Sequence, residues 1–325
     1  MTTSAQTPVN SGFGLKTEPH EILEGVDLTG RTVIVTGGYS GIGLEATRAL
    51  AGAGARVIVP VRSPEKAATN LKSIDGAVET AAMDLGDLGS VHAFADAFLN
   101  DNDALHGLIN NAGIMACPET RIGRGWEAQF ATNHVGHFAL ANRLAPALVK
   151  AGETHDRVRV VSLSSVGHKR APVLFDDIHF EREPYEKWTA YGQAKTANAL
   201  FAVEFDRRFR DRNVRAFAVH PGGIMTPLQR HLETEEMVAL GWLKPDGSLS
   251  ELAANLFKSP SQGATTTLWC AVSPQLDGKG GVYCEDCDIA VAADGDTPRW
   301  LGVAPHATDP AAAARLWDIS EQMIA

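Results

Sequence analysis

Residues 36–43 read TGGYSGIG and place four glycines between an apolar run, Thr32–Val35, and an Ala- and Leu-rich stretch. Glycine costs conformational entropy on folding, so a chain keeps it where the backbone must turn sharply or approach another group closely. A strand, a glycine turn and a helix in this order bring the positive end of the helix to the carboxyl edge of a sheet. Gly37, Gly41 and Gly43, spaced G-x-x-x-G-x-G, therefore predict a loop that binds the pyrophosphate of a dinucleotide.

Short apolar runs alternate with helical patterns along most of the chain. The runs are rich in Val, Ile and Leu, as strands buried on both faces of a sheet are. Strands are predicted at residues 32–35, 56–59, 78–83, 108–110, 157–163, 215–219 and 281–283. Helices are predicted at residues 17–23, 44–53, 65–71, 88–99, 125–148, 190–210 and 263–271. This alternation predicts an α/β fold with a doubly wound, Rossmann-type parallel sheet of about seven strands.

No internal repeat or low-complexity block divides the chain. We predict an N-terminal extension over residues 1–27 and a single Rossmann domain over residues 28–325. Residues 222–260 interrupt the alternation of strands and helices and carry a group of apolar residues around 237–243. Because irregular insertions of this kind often carry function, we predict that this one forms a lid over the ligand.

The composition argues against several classes of protein. The 325 residues carry a net charge of −10, whereas proteins that bind nucleic acids usually present a basic face. The sequence contains no run of about 18 apolar residues, so no membrane span is predicted. Its first residues lack the features of a secretory signal. The four cysteines are too few and too scattered for a disulfide framework. A reducing, cytoplasmic location is therefore predicted.

The end of the second predicted strand indicates which dinucleotide binds. Residues 57–62 read VIVPVR and contain no acidic side chain. An acid at this point would favour NAD, because it binds the 2′-hydroxyl of the adenosine ribose. Arg62 instead offers a guanidinium group that suits a 2′-phosphate. NADP(H) is therefore the preferred cofactor, with NAD(H) as the alternative.

Tyr191 and Lys195 open a predicted helix and are four residues apart, so their side chains share one helical face. A nearby ammonium group favours the phenolate and should lower the pKa of the tyrosine from about 10. A tyrosine with a lowered pKa is suited to act as a general acid or base. The pair therefore predicts a catalytic centre.

Polar or glycine residues follow several predicted strands at the point where each strand ends. Asn111 follows the fourth strand, Ser165 the fifth and Pro221 the sixth, and the glycine loop follows the first. Because the carboxyl ends of parallel strands face one crevice, we expect these residues to converge there.

These motifs occur in the order typical of the short-chain dehydrogenase/reductase family, and residues 28–290 resemble that family, in particular its retinol-dehydrogenase-like branch. The resemblance implies that Tyr191 donates or accepts the substrate proton. It implies that Lys195 lowers the pKa of Tyr191 and holds the nicotinamide ribose. Ser165 would polarise the substrate carbonyl, and Asn133 would anchor a water molecule that passes protons to Lys195.

The same resemblance implies the cofactor-binding residues and a homo-oligomer, a dimer or a tetramer, packed through the helices of Asn133 and Tyr191. The implied cofactor-binding residues are Gly37, Tyr39, Ser40, Gly41, Ile42, Gly43, Arg62, Asp84, Leu85, Asn111, Ala112, Gly113, Tyr191, Lys195, Pro221, Gly222 and Thr226. The chain departs from the family in two places. Tyr39 stands where a small, polar or basic residue is common, and 25 residues separate Ser165 from Tyr191.

The resemblance predicts hydride transfer between a nicotinamide cofactor and a carbonyl or secondary alcohol, with a bulky lipophilic substrate. Two alternatives stay open: a dinucleotide-binding sensor or scaffold without turnover, and a protochlorophyllide-type tetrapyrrole reductase. No metal site is expected, because His134 and His137 lack a carboxylate or cysteine partner at metal-ligand spacing.

Overall fold

The strand that precedes the glycine loop lies inside an eight-stranded sheet. The structure is a computed structural model and describes residues 6–325, apart from the side chain of Lys66. The order of strands across this sheet is β12-β11-β8-β7-β4-β1-β2-β3. The strands are β1 (Thr32–Val35), β2 (Arg56–Val61), β3 (Val78–Ala82), β4 (Gly107–Asn110), β5 (Arg121–Ile122), β6 (Trp126–Glu127), β7 (Val158–Leu163), β8 (Val214–His220), β9 (Gly223–Ile224), β10 (Phe257–Lys258), β11 (Val282–Glu285) and β12 (Asp288–Ile289).

Helices connect most of these strands. They are α1 (Pro19–Ile22), α2 (Gly41–Gly52), α3 (Pro64–Leu71), α4 (Leu88–Asp101), α5 (Ala128–Phe130), α6 (Gly136–Gly152), α7 (Lys187–Phe209), α8 (Thr234–Ala239), α9 (Glu251–Leu256), α10 (Pro260–Val272) and α11 (Pro310–Ile324). The chain thus forms a single α/β domain of the doubly wound type, as the sequence predicts.

The strand order reverses between β1 and β4, which are parallel neighbours although two other strands lie between them in sequence. Ligands of doubly wound folds bind outside the carboxyl ends of the strands at such a switch point. Seven strands of the sheet are parallel, and only the edge strand β12 runs antiparallel to its neighbour β11. The carboxyl ends of the seven parallel strands therefore share one edge of the sheet.

The seven predicted strands are confirmed, and each predicted boundary lies within two residues of the observed one. The predicted helix over residues 125–148 is wrong at its start. Residues 121–127 form a small antiparallel hairpin of β5 and β6, with Gly123 and Gly125 at positive φ in the turn. The helix that follows is α-helical from 128, π-helical over Ala131–Val135 and α-helical again in α6.

Residues 223–258 leave the main sheet after β8. They begin and end in β9 and β10, which pair in parallel as a separate two-stranded sheet. Between these two strands lie the short helices α8 and α9. The segment lies beside the carboxyl edge of the sheet, because it starts directly after the end of β8.

The C-terminal helix α11 packs across α7 and covers the apolar residues on its outer face. Its Trp317 contacts Phe138 and Phe201, with ring centroids 4.8 and 6.2 Å away. Together with the sheet on the opposite face, α11 leaves all residues of α7 from 190 to 206 buried within one chain. Packing of a second copy against this face of α7 would require displacement of α11.

Among residues 6–325, no helix combines the length and the apolar character that crossing a membrane requires.

Candidate active site

A cavity of about 1440 Å³ lies at the carboxyl edge of the sheet. Almost all of the predicted site residues line it, from both the cofactor-binding and the catalytic sets. Those in its wall are Gly37, Tyr39, Ser40, Gly41, Ile42, Arg62, Asp84, Leu85, Asn111, Ala112, Gly113, Ser165, Tyr191, Lys195, Pro221, Gly222 and Thr226. Gly43 and Asn133 lie behind this wall and support it, as described below.

The glycine loop has the shape that a pyrophosphate requires. Gly37 and Gly41 adopt φ angles of +65° and +53°, which side chains rarely tolerate. A Cβ at Gly43 would lie 2.5 Å from the carbonyl oxygen of Gly37, so this glycine permits the close packing of the loop on α2. Ser40 makes no side-chain cap to α2, and the N–H groups of the first turn are left for an anion. These residues fit a dinucleotide.

Thr36 locks the glycine loop to the turn after β4, although the sequence analysis gave it no role. Its Oγ1 accepts hydrogen bonds from the N–H groups of Asn111 (2.9 Å) and Ala112 (3.0 Å). The Asn111 side-chain amide also donates to the carbonyl oxygen of Thr36 (2.8 Å). The position of Thr36 directly before the first glycine is the sequence feature that could have indicated this role.

The predicted adenosine end of the cavity lies at the ends of β2 and β3. Arg62 directly follows β2 and has an exposed side chain that forms part of the cavity wall. Asp84 lies after β3, and its Oδ1 accepts a hydrogen bond from the N–H of Gly86 (2.9 Å). This bond fixes the carboxylate beside Leu85, which also lines the cavity.

Ser165 lies at the N-cap of a 3₁₀ turn, Val166–Arg170, that follows β7. Its Oγ accepts a hydrogen bond from the N–H of Gly167 (3.1 Å). This contact does not use the hydroxyl proton of Ser165, and the hydroxyl also forms a hydrogen bond with Tyr191. A Cβ at Gly167 would lie 2.8 Å from the ring of Tyr191, so the ring packs directly on this turn.

Tyr191 and Lys195 are both buried on α7, one helical turn apart. Burial raises the pKa of Tyr191 to about 12, and only a hydrogen bond with Ser165 acts in the opposite direction. Burial likewise lowers the pKa of Lys195 to about 8. The expected lowering of the tyrosine pKa by the ammonium group is therefore absent here: burial of the phenol is the main cause of the shift, and Lys195 is not among its causes.

Asn133 lies in the π-helical turn between α5 and α6, a type of local distortion often found at functional sites. Its side chain accepts from the N–H of Ile114 (2.8 Å) and donates to the carbonyl oxygen of the same residue (2.9 Å). A Cβ at Gly113 would lie 3.0 Å from Asn133 Oδ1 and 3.7 Å from Lys195 Nζ. Asn133 and Lys195 thus approach the same glycine.

His137 connects the turn of Asn133 to the glycine loop, a role that the sequence did not indicate. Its Nδ1 lies 2.9 Å from the Asn133 carbonyl oxygen, and its Nε2 lies 2.8 Å from Thr36 Oγ1. Burial lowers the pKa of His137 to about 4, so the ring is neutral. Nδ1 must then carry the proton, because the carbonyl oxygen only accepts. Thr36 in turn donates to Nε2.

His220 and Lys258 support the Pro221–Gly222 turn from below. His220 Nδ1 accepts from the N–H groups of Val166 (3.2 Å) and Gly222 (3.4 Å). Gly222 has a φ of +105°, and a Cβ there would lie 2.9 Å from the Lys258 side chain. The buried Lys258 ammonium pairs with Asp286 at 2.7 Å.

The part of the chain that the structure describes holds no group of three or more His, Cys, Asp or Glu side chains that could bind a metal ion. His134 and His137 point to different partners, since His134 Nε2 lies 2.8 Å from Ser320 Oγ.

Comparison with known proteins gives one consistent result. The sequence profile described as short chain dehydrogenase matches residues 31–237. A protein of Streptomyces antibioticus named "Probable oxidoreductase" is 46% identical over 299 residues, which are 90% of this chain and 97% of that protein. Retinol dehydrogenase 12 of Mus musculus is 35% identical over 304 residues, which are 92% of this chain and 88% of that protein.

A solved structure of similar fold also has appreciable sequence identity. It is an uncharacterised protein from Mycobacterium paratuberculosis, 33% identical, with a TM-score of 0.68. The match covers 92% of this chain and 95% of that one. The likeness therefore extends beyond the glycine loop to nearly the whole of both chains.

Proposed function

The chain belongs to the short-chain dehydrogenase family and is an oxidoreductase of CH–OH and C=O groups. From this we propose that it transfers a hydride between NADP(H) and a bulky lipophilic ketone, aldehyde or secondary alcohol. One observation carries the proposal. The cavity that the glycine loop lines is also lined by Ser165, Tyr191 and Lys195. A dinucleotide held by that loop would therefore extend to the hydroxyl groups of Ser165 and Tyr191.

Tyr191 is proposed as the general acid. Because burial holds its pKa at about 12, the phenol is protonated at neutral pH and ready to donate to a carbonyl oxygen. Ser165 would donate a second hydrogen bond to the same oxygen, since its contact with Gly167 does not use the hydroxyl proton. Both features favour reduction of a carbonyl. The bound cofactor supplies the hydride itself.

Lys195 and Asn133 are proposed to restore the proton of Tyr191. Lys195 Nζ is held by the carbonyl oxygen of Leu163 at 2.9 Å, in the cavity wall beside the phenol. Its lowered pKa of about 8 suits a group that gives up and regains a proton near neutrality. Asn133 approaches the same glycine as Lys195 and would hold the water molecule that connects Lys195 to solvent.

NADP(H) is the proposed cofactor, with NAD(H) as the alternative. Arg62 lies in the cavity wall at the end of β2, where the adenosine ribose of a dinucleotide lies in doubly wound folds. A guanidinium group binds a phosphate in a bidentate manner and adds charge to that contact. A cofactor without the 2′-phosphate would gain nothing from Arg62.

A lipophilic substrate is supported by the apolar cluster that surrounds the catalytic tyrosine. Met115, Ala116, Tyr191 and Leu232 form its buried centre. The partly buried side chains packed against this centre are Trp188, Leu228, Met237 and Trp242. Several of them come from residues 222–260, the proposed lid, so closure of this segment would bury the substrate against them. A mostly apolar wall favours ligands of matching character.

The remaining proposals concern domain limits, assembly and location. We propose the domain limits that the sequence predicts, with residues 1–27 as an extension of a domain over 28–325. A homo-oligomer is also proposed, although helix α11 already covers α7 and a second copy would need to contact α11 or another surface. The four cysteines are all unpaired, which suits the proposed reducing cytoplasm.

Consumption of NADPH with a set of carbonyl compounds tests the proposed function. The set should contain acetophenone, a decalone and all-trans-retinal, with pyruvate and dihydroxyacetone as small polar controls. We expect turnover of the lipophilic compounds, with kcat/KM at least about tenfold above that of the polar controls. Tight binding of NADPH without turnover of any of them would contradict the proposal and favour a scaffold or sensor.

A further inference from the structure

We infer that His168 is a positioning residue, which holds the backbone of Ser165 in place and connects it to the C-terminal segment Gly302–Ala304 beside the substrate cavity. This inference rests on the proposed function, because it concerns the residue that would polarise the substrate carbonyl. His168 is the third residue after Ser165 and is fully buried. Its ring has polar partners on both nitrogens, and two of them, Tyr283 and Ala304, come from distant parts of the chain.

The hydrogen bonds of His168 determine which of its nitrogens carries the proton. The N–H of Ala304 lies 2.9 Å from Nε2 and is a donor only, so Nε2 must accept. Burial lowers the pKa of His168 to about 4, and the ring is therefore neutral. The single ring proton is consequently on Nδ1. It is donated to the carbonyl oxygen of Ser165, 2.7 Å away.

The contact with Ser165 is reinforced on the same side of the ring. The backbone N–H of His168 also donates to the Ser165 carbonyl oxygen (3.0 Å), and the Tyr283 hydroxyl lies 3.2 Å from Nδ1. The carbonyl of Ser165 therefore receives two donors from one residue. Rotation of the Ser165 backbone would break both bonds.

The C-terminal segment is attached to this wall of the site at several points besides Ala304. Glu285 Oε1 accepts from the N–H of Gly302 (2.7 Å), and the Lys169 ammonium donates to the carbonyl oxygen of Leu301. His306 Nε2 lies 3.0 Å from the carbonyl oxygen of His168. The neighbouring residues Arg299, Trp300 and Leu301 line the cavity. His168 thus connects a wall of the substrate cavity to the catalytic serine.

The direction of the Ser165 hydroxyl depends on this support. Within the same short turn its Oγ is held by the N–H of Gly167, and outside the turn it is hydrogen-bonded to Tyr191. If the carbonyl of Ser165 lost its donor from the ring, the turn would relax and the hydroxyl would move relative to Tyr191. A displacement of about 1 Å at a catalytic group can reduce turnover by roughly 100-fold.

Two substitutions separate the two functions of the ring. In His168→Asn the amide nitrogen replaces Nδ1 and keeps the donor to Ser165. In His168→Gln the amide oxygen replaces Nε2 and keeps only the acceptor for Ala304. We expect His168→Gln to lower kcat by about 10- to 100-fold with an unchanged dissociation constant for NADPH, and His168→Asn to recover most of that loss. The assay would use NADPH with acetophenone or all-trans-retinal.

His134→Gln is the matched control, because His134 is equally buried but bonds to Ser320 on α11. It should keep the wild-type kcat. Folding of all variants is checked by the midpoint of urea unfolding. A folded His168→Gln with wild-type kcat and KM would overturn the inference, and so would an equal loss of kcat in His134→Gln, which would indicate a general effect of altering buried histidines.

Two further measurements separate this inference from the proposed function. Nitrogen-15 NMR of the histidine rings should assign the Nδ1–H tautomer to His168, identified as the signal lost in His168→Gln. The Nε2–H tautomer would overturn the inference whether or not any ketone is reduced. If Ser165→Ala keeps wild-type turnover, the proposed role of the serine is wrong, and the inference fails with it even when the tautomer is the expected one.

Discussion

The ammonium nitrogen of Lys195 lies 5.6 Å from the centroid of the Tyr191 ring, within the range of a cation–π contact. It donates its hydrogen bond to the carbonyl oxygen of Leu163. The ammonium group therefore lies near the tyrosine ring while its hydrogen bond goes to a backbone oxygen. Burial raises the pKa of Tyr191 to about 12, so the phenol stays protonated at neutral pH although the ammonium group is close to its ring.

Replacement of Tyr191 by Phe should reduce turnover by about 10²- to 10⁴-fold, the usual contribution of a general acid. The dissociation constant of NADPH should change by less than about threefold, because the ring and the cavity wall remain. Steady-state kinetics and NADPH fluorescence titration measure the two effects. Tyr185→Phe is the control, since its hydroxyl bonds to Cys117 and Gln129 outside the proposed reaction. Equal turnover of Tyr191→Phe and wild type would exclude Tyr191 as the acid.

Replacement of Lys195 by Met should abolish most turnover and yet stabilise the fold at pH 7. The folded pKa of Lys195 is about 8, below its ordinary value of 10.5. The unfolded chain therefore binds more protons between these pH values, and stability rises with pH across that window. Below pH 8 the buried ammonium group destabilises the fold by the full amount, roughly 3 kcal/mol, and Lys195→Met removes this destabilisation. The Leu163 carbonyl keeps its donor from Asn198 at 2.8 Å.

Urea unfolding of wild type and Lys195→Met at pH 7 and pH 9.5 tests this. The difference in the free energy of unfolding should shrink at the higher pH. A variant less stable than wild type at pH 7 would show that the ammonium group is well accommodated, and the argument from burial would be wrong.

The sequence predicted those parts of the site that depend on local spacing. The glycine loop, the pair Tyr191 and Lys195, and the polar ends of the parallel strands are each defined within a few residues, and the fold brings them to one edge. The tautomer of His168 depends on Ala304, which is 136 residues away in sequence. No local pattern indicates such a contact, and the same holds for His137 and Thr36, 101 residues apart.

Three errors have different physical causes. The hairpin of residues 121–127 has strands of two residues each, too short for any periodic pattern, and its residues 125–127 were predicted as the start of a helix. Helix α11 was missed although its start has a recognisable signal, with Asp309 at the N-cap and Pro310 in the first turn. The pKa of Tyr191 was misjudged because the sequence shows a charged neighbour but does not show the depth of burial.

Replacement of Arg62 by Ala should raise the KM for NADPH by about 10- to 100-fold and leave the KM for NADH unchanged. The reason is that hydrogen bonds between charged groups contribute about 1.5–3 kcal/mol, and only NADPH carries the 2′-phosphate. Steady-state kinetics with both cofactors measure the ratio. Arg48→Ala is the control, because Arg48 is a partly exposed arginine bonded to Ser73 outside the cavity wall. An equal loss for both cofactors would contradict the proposed role.

Replacement of Glu236 by Ala should raise the KM for a bulky ketone by about 3- to 10-fold with little change in kcat. Glu236 attaches helix α8 of the proposed lid to the start of α7. Its carboxylate pairs with Lys187 at 2.6 Å and accepts from the Trp188 indole N–H at 2.9 Å. The ion pair is partly exposed, so its contribution is of the order of 1 kcal/mol.

Glu235→Ala is the matched control for this effect, because Glu235 is the exposed neighbour on the same helix. Kinetics with acetophenone and with a larger ketone should show that the effect grows with substrate size. An equal rise of KM in both variants would indicate a general electrostatic effect and not a contact of the lid.

Several buried histidines should make the protein sensitive to acid well above the ordinary pKa of its carboxylates. Burial lowers the pKa of His134 to about 3, of His137 to about 4 and of His220 to about 3. Between these pKa values and pH 6.5, the histidines bind protons in the unfolded chain but not in the folded chain, so the free energy of unfolding falls as the pH falls. The loss approaches about 1.4 kcal/mol per pH unit for each such histidine.

Urea unfolding at pH 7, 5.5 and 4.5 should therefore show a steep decline, and His134→Gln should make it shallower by the contribution of one histidine. A stability that is constant between pH 7 and 4.5 would mean that these rings accept protons inside the fold, which would also remove the basis for their fixed tautomers.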